Sequence, residues 1–291
     1  MRIKLVANPA SGRYNRGRAL ARAEEYLLRA GNVVDLEMPP YPGCGTGAAR
    51  RAVAEGYDVV VACGGDGTLR EVAEGLVGSK ATMGIIPLGT GNVIAMDLGI
   101  PRDPAKACRT ILEGTVRRID IGRCGDNHFI LVAGVGFDGE VIAETNLHLK
   151  SKVRNFAYIY AGLKYVLKFE PKDYYVEADT FSGTVNAIAI AVCNSYRYGG
   201  YKLKRGISIT DGLFDVCVIK GRPLLDLLRV FFSVVYRRGV PQRNLLTFKA
   251  RHVRITSQTG GLVHSDGDVV GQLPMDFEVI EKGLSVIVPR R

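Results

Sequence analysis

The sequence predicts two domains: an α/β domain built on a parallel sheet, then a mostly antiparallel β-sandwich. Three observations predict this. Up to about residue 115, short apolar runs alternate with segments of helical periodicity, as in a parallel sheet covered by helices. Beyond that point strand-like runs dominate, many of them alternating, and only two helical stretches interrupt them. The chain has 291 residues with no long linker, low-complexity segment or internal repeat, a comfortable length for two domains.

The elements follow in order. Ile3 to Ala7 is a short apolar strand, and Gly17 to Ala30 a helix with Leu20, Ala23, Leu27 and Leu28 on one face. Val33 to Leu36 is a strand and Ala48 to Ala54 a helix. Val59 to Cys63 is wholly apolar before Gly64, as in a strand buried on both faces. Leu69 to Val77 is helical, Met83 to Ile86 a strand, and Val93 to Leu98 opens a helix. Asp103 caps a helix with Pro104 at its first position, ending near Gly114. In the second half, strands are expected at Val116–Ile121, Phe129–Ala133, Tyr174–Ala178, Val185–Cys193, Phe214–Ile219, Val253–Thr256, Phe277–Ile280 and Leu284–Val288. The two helical insertions are Val153 to Phe169 and Leu224 to Arg237. The expected boundary divides the chain into residues 1–122 and 123–291.

Composition narrows the function classes. The net charge of +10 and pI of about 9.4 favour anionic partners. The basic residues lie in small scattered groups, without a nucleic-acid motif, so nucleic acid is not expected as a partner. The six cysteines form no CxxC pair and three sit in apolar strand-like runs, which predicts reduced, buried thiols. The longest apolar stretch, Pro223 to Val235, is too short to span a bilayer and carries Asp226 and Arg229. A cytoplasmic protein, attached at most to the inner membrane surface, is expected.

The strongest motif is Gly64-Gly65-Asp66-Gly67-Thr68, between a buried strand and a helix. Glycines there let the backbone turn tightly and bring N–H groups against phosphate oxygens, and the helix N-terminus adds partial positive charge. Asp66 sits where a carboxylate could organise a metal ion, or simply cap the helix. Asn8-Pro9-Ala10-Ser11-Gly12-Arg13 and Pro87-Leu88-Gly89-Thr90-Gly91-Asn92 follow two further strands of the same half. In a parallel sheet such loops share the ligand-binding edge, where Arg13 can bond phosphate. Neither a Walker pattern nor GxGxxG is present. Three acidic sites mark the second half: Asp138, Asp211 and the pair Asp266 and Asp268; each alone also reads as a turn.

Taken together, Asn-Pro-x-Ser-Gly, Gly-Gly-Asp-Gly-Thr, Pro-x-Gly-Thr-x-Asn, Asp-Gly-x-x-Asp and Asp-Gly-Asp resemble the bacterial diacylglycerol kinase family of lipid kinases, related to sphingosine and ceramide kinases. The resemblance covers nearly the whole chain. It implies an ATP-binding domain in 1–122, a lipid-substrate β-sandwich in 123–291 and an active site in the cleft between them. It implies ATP and Mg²⁺ as cofactors, a lipid substrate presented at a membrane surface and a place in phospholipid metabolism; homodimerisation is left open.

Residue by residue, the resemblance assigns ATP binding to Asn8, Ser11, Gly12, Arg13, Gly64, Gly65, Asp66, Gly67, Thr68, Gly89, Thr90, Gly91 and Asn92. Asp266 or Asp268 would take the proton from the lipid hydroxyl. Asp211, with backbone oxygens of Ser208 and Leu213, would hold a structural Mg²⁺, and Asp66 and Asp138 would surround the catalytic metal. The sequence departs from the family pattern at Arg70 in place of Asn, at Val93 in place of Asp, at Met38-Pro39-Pro40 where a nucleotide-contacting Thr is expected, and at Asp268 where Glu is usual. Two other readings are an NAD kinase-like enzyme, for which the usual mid-chain Asn-Glu motif is missing, and a catalytically impaired nucleotide- or lipid-binding regulator.

Overall fold

The computed structural model describes residues 1–8, 16–41, 43–148, 170–198, 201–202, 206–220 and 244–290. Both predicted helical insertions of the second half, Val153 to Phe169 and Leu224 to Arg237, fall outside the described residues. The chain divides into two compact units, one of Met1–Ile121 with Glu281–Arg291, the other of Gly122–Ile280.

The first unit alternates as expected: β1 (Arg2–Ala7), α1 (Arg16–Arg29), β2 (Val33–Glu37), α2 (Gly45–Ala54), β3 (Val59–Gly64), α3 (Asp66–Leu76), β4 (Thr82–Pro87), α4 (Val93–Asp97) and α5 (Pro104–Glu113). The sheet order is β2-β1-β3-β4, and every pairing is parallel. Strand β3 is buried throughout, which explains its unbroken Val-Val-Val-Ala-Cys run. On α1, Ala23 and Leu27 are buried but Leu28 is 47% exposed, contrary to the expected shared face. Leu28 follows Leu27 by about 100° around the helix and falls outside the stripe that Ala23 and Leu27 bury. Asp103 caps α5 as predicted: its carboxylate accepts from Lys106 N at 2.9 Å, with Pro104 at the first position.

The chain goes from β1 to β2 on one side and then to β3 on the other. The C-terminal ends of β1 and β3 therefore flank the point where the strand order reverses, the usual ligand position of an open α/β sheet. Asn8 follows β1 there, and the Gly64–Thr68 turn follows β3.

The second unit is a sandwich. It takes in β5 (Thr115–Cys124), which crosses into it from the first unit, then β6 (Asn127–Phe129), β7 (Val132–Gly136), α6 (Phe137–His148), β8 (Lys172–Ala178), β9 (Phe181–Ala187) and β10 (Ala189–Cys193). There follow β11 (Arg197–Tyr198), β12 (Tyr201–Lys202), β13 (Phe214–Ile219), β14 (Leu245–Ala250), β15 (His252–Thr256), β16 (Leu262–Ser265), β17 (Asp268–Gln272) and β18 (Met275–Val288). One sheet runs β14-β13-β10-β7-β16-β17; the other contains β18-β15-β8-β9. Each pairing within these two sets is antiparallel. Tyr174, Val253, Ile255 and Phe277 from one sheet pack with Val135, Ile190, Phe214 and Val263 from the other in one core. The rings of Phe129 and Phe214 stack at 5.4 Å.

Residues 281–291 belong to the first unit, where the sequence reading ran the second domain to the end of the chain. The cause is that Phe277–Ile280 and Leu284–Val288 form one strand, β18. Its first half pairs β15, and Val286 then pairs Met83 of β4 in parallel.

Candidate active site

The turn after β3 is built for close approach. Gly65 is the N-cap of α3 in extended conformation, and the first i to i−4 bond runs from Leu69 N to Gly65 O. The N–H groups of Gly67 and Thr68 lie in the first turn, which offers no intrahelical acceptor. Gly67 is exposed, and a Cβ there would meet nothing within 4 Å. Gly64 is walled in: a Cβ there would meet Thr68 Oγ1 at 2.5 Å. The loop after β4 lies against the turn, with Leu88 N donating to Gly64 O at 2.8 Å.

Asn92 shapes that second loop. It adopts φ +53, its Oδ1 accepts from Gly89 N and its Nδ2 donates to Gly89 O, each at 2.8 Å. Asn tolerates the left-handed region because its short side chain bonds locally. Asp66 then joins the two loops: its Oδ1 accepts from Ile94 N at 3.1 Å, at the start of α4. Burial pushes the Asp66 carboxyl up, while N–H donors from Ile94, Val93 and Asn92 oppose the rise. Arg102 closes the arrangement by donating to Gly91 O at 2.6 Å. Thr90, between them, is exposed.

In the second unit, Asp266 and Gly267 form the turn of the β16–β17 hairpin, both with positive φ. The Asp266 carboxylate accepts three backbone N–H bonds, from Ile130 at 2.7 Å, Leu131 at 3.0 Å and Val132 at 2.9 Å. Its own N–H donates to Val132 O at 2.9 Å. The carboxylate thus clamps the chain between β6 and β7. Asp268 opens β17 and is exposed.

Residues 2–124 match the diacylglycerol kinase catalytic domain, and residues 131–288 match the YegS C-terminal NAD kinase beta sandwich-like domain. Similar over nearly its full length is the diacylglycerol kinase of Bacillus subtilis strain 168, 31% identical over 99% of this chain and 97% of that one. The Staphylococcus aureus (strain bovine RF122 / ET3-1) diacylglycerol kinase is also 31% identical, over 99% of this chain and 92% of its own. The chain belongs to the diacylglycerol kinase family. A crystal structure of a diacylglycerol kinase from Bacillus anthracis str. Sterne superposes with a TM-score of 0.77, covering 99% of this chain and 96% of that one. At 20% identity it bears on the fold alone.

The chain is therefore an ATP-dependent lipid kinase. Among the residues assigned to the nucleotide, Gly64, Gly65, Asp66, Gly67, Thr68, Gly89, Thr90, Gly91 and Asn92 come together on the two touching loops. Asn8 lies at the end of the neighbouring strand β1. Ser11, Gly12 and Arg13 fall outside the described residues. Asp138 lies in the first turn of α6, not in a free acidic turn, because Gly136 takes φ +105 and turns the chain from strand into helix; nothing is described of its side chain.

At the expected structural metal position the donors are already engaged by the chain itself. No group of three or more His, Cys, Asp or Glu is placed to hold one among the described residues. The Asp66 carboxylate serves the start of α4. At the expected Mg²⁺ loop, Asp211 Oδ1 accepts from Leu213 N at 3.3 Å, and Asp211 Oδ2 lies 2.8 Å from Lys249 Nζ. These residues do not fit a divalent ion. Arg102 and Lys249 carried no sequence signal; only the loop closure and the strand register reveal them.

Proposed function

We propose that this lipid kinase transfers the γ-phosphate of ATP to the free hydroxyl of diacylglycerol, or of a lipid of that kind, at a membrane surface. The observation that carries the reading is the presence, in one member of this family, of a glycine-walled helix N-terminus in the first unit and an exposed hairpin carboxylate, Asp268, in the second. The N–H groups at the start of α3 and the loop 89–92 hold the triphosphate, helped by the positive end of the helix. Mg²⁺ arriving with the nucleotide supplies charge neutralisation on the phosphates.

Asp268 is the base. It accepts the proton of the lipid hydroxyl as the new O–P bond forms and the bond from the γ-phosphorus to the bridging oxygen breaks, leaving ADP. Asp266 is a positioning residue, because both its oxygens are committed to the 130–132 backbone and keep the hairpin in register. The net charge of +10 supports attraction to an anionic membrane surface. No helix among the described residues is long and apolar enough to cross a membrane.

The second reading takes NAD as acceptor, because residues 131–288 match an NAD kinase beta sandwich-like domain. Incubation with γ-labelled ATP and Mg²⁺ against diacylglycerol, phosphatidylglycerol, a sphingoid base, an isoprenoid alcohol and NAD separates the readings. Label in diacylglycerol is expected. Label in NAD alone would contradict the proposal.

A further inference from the structure

The family resemblance places a divalent cation at the turn before β13, yet the position is already served by a side chain. Asp215 lies on β13 and is 1% exposed, and Lys249 is its direct partner across the antiparallel pair with β14. Directly opposed residues on one sheet face meet side chain to side chain. Lys249 Nζ accordingly lies 3.1 Å from Asp215 Oδ2 and 2.8 Å from Asp211 Oδ2. One ammonium thus bridges a buried carboxylate and the carboxylate of the turn.

We propose that Lys249 is a built-in cation that replaces a structural metal ion at the Asp211 turn, so that this part of the sandwich folds and holds without Mg²⁺. A buried carboxylate such as Asp215 needs a partner charge, and the strand register delivers one whenever the sheet forms. A hexahydrated or partly dehydrated Mg²⁺ would have to displace the ammonium or sit beside it against direct repulsion. It would also require oxygens at about 2.1 Å in octahedral array, where Asp211 Oδ1 is turned to Leu213 N–H. The inference is independent of which lipid accepts phosphate.

The test is thermal unfolding of the full chain without nucleotide, in EDTA and in millimolar MgCl₂, for wild type, Lys249→Met, Lys249→Arg and Asp211→Asn. The wild-type midpoint is expected to be the same in both buffers. Lys249→Met is expected to unfold about 3 °C or more lower in EDTA and to recover part of the loss in MgCl₂. Lys249→Arg is expected to stay indifferent to the metal. A wild-type rise in MgCl₂ that persists in Asp211→Asn places the ion elsewhere and agrees with the proposal. A wild-type rise that disappears in Asp211→Asn would overturn it, as would a Lys249→Met chain as stable as wild type in EDTA. If Lys249→Met fails to fold, the comparison of wild type with Asp211→Asn still decides.

Discussion

Gly65 and Gly89 meet backbone against backbone: a Cβ placed on Gly89 would sit 2.3 Å from Gly65 Cα and 2.4 Å from Asn92 Oδ1. The loops after β3 and β4 therefore form one object, and their glycines divide into those that hold the loops together and those that leave room for a ligand. Gly89→Ala is predicted to lower the unfolding midpoint and to weaken ATP binding at least tenfold, since the added carbon must separate the loops. Gly67→Ala meets no atom and sits inside α3, where Ala is favoured over Gly by roughly 0.5–1 kcal/mol. It is predicted to fold at least as stably as wild type, yet to bind ATP more weakly, since the proposed function seats a phosphate against this turn. Calorimetric titration with ATP beside thermal unfolding checks both.

The two hairpin carboxylates are predicted to fail differently. Asp266→Asn replaces a doubly accepting group with one that presents NH₂ to backbone N–H donors, at a cost of about 1–3 kcal/mol. Asp268→Asn leaves that clamp intact. It is predicted to keep its denaturation midpoint and lose about a hundredfold or more in kcat. Urea unfolding and steady-state kinetics on the two variants test the division; an unstable Asp268→Asn with normal turnover would reverse the roles.

Arg102 should matter to the nucleotide while touching only the loop. Its guanidinium holds Gly91 O from outside the motif. Arg102→Ala is predicted to raise KM for ATP severalfold with little change in kcat, measured at saturating lipid.

The cysteines give a chemical readout. Burial pushes the Cys108 thiol up to about 11 and the Cys124 thiol to about 12, and raises Cys63 as well. Cys193 and Cys217 are also buried, whereas Cys44 is half-buried. Alkylation of native protein at pH 8 is predicted to modify Cys44 first, with the other five reacting only after denaturation, as mass spectrometry of digests would show.

The edge of the parallel sheet carries a pH-dependent contribution. Burial acts to raise the Glu37 carboxyl, but Arg51 at 2.5 Å and Lys4 at 3.3 Å outweigh it and hold it below its ordinary value of 4.5. A depressed carboxyl stabilises the fold above the unfolded-state value and ceases to do so as pH falls through the folded one. Glu37→Gln is predicted to cost about 0.5–1 kcal/mol at pH 7, with the gap closing below pH 4.5. Denaturant titrations at the two ends of that range measure it.

Much of this was legible in the sequence wherever one local rule decides the outcome. The apolar run of β3 with its Gly-Gly exit, and the Asp103-Pro104 helix start, are cases in which a few neighbouring residues suffice. Contacts that join distant positions were not legible. Phe129–Ala133 reads as one strand but breaks into β6 and β7, because Asp266 takes the N–H groups of Ile130, Leu131 and Val132. Val185–Cys193 divides at Ile188, whose N–H bonds Ile219 O, with no breaker residue to announce it. In the site, the glycines and acids stood out by type. The partners that fix their roles, Ile94 for Asp66 and Lys249 for Asp211, are set by folding and by strand register.

The most direct measurement is transfer of ³²P from γ-labelled ATP to diacylglycerol in mixed micelles with Mg²⁺, comparing wild type with Asp268→Asn. The account predicts labelled phosphatidic acid from wild type and at most about one hundredth of that rate from the variant. Equal labelling by both proteins, or no labelled lipid from wild type that binds ATP, would contradict it.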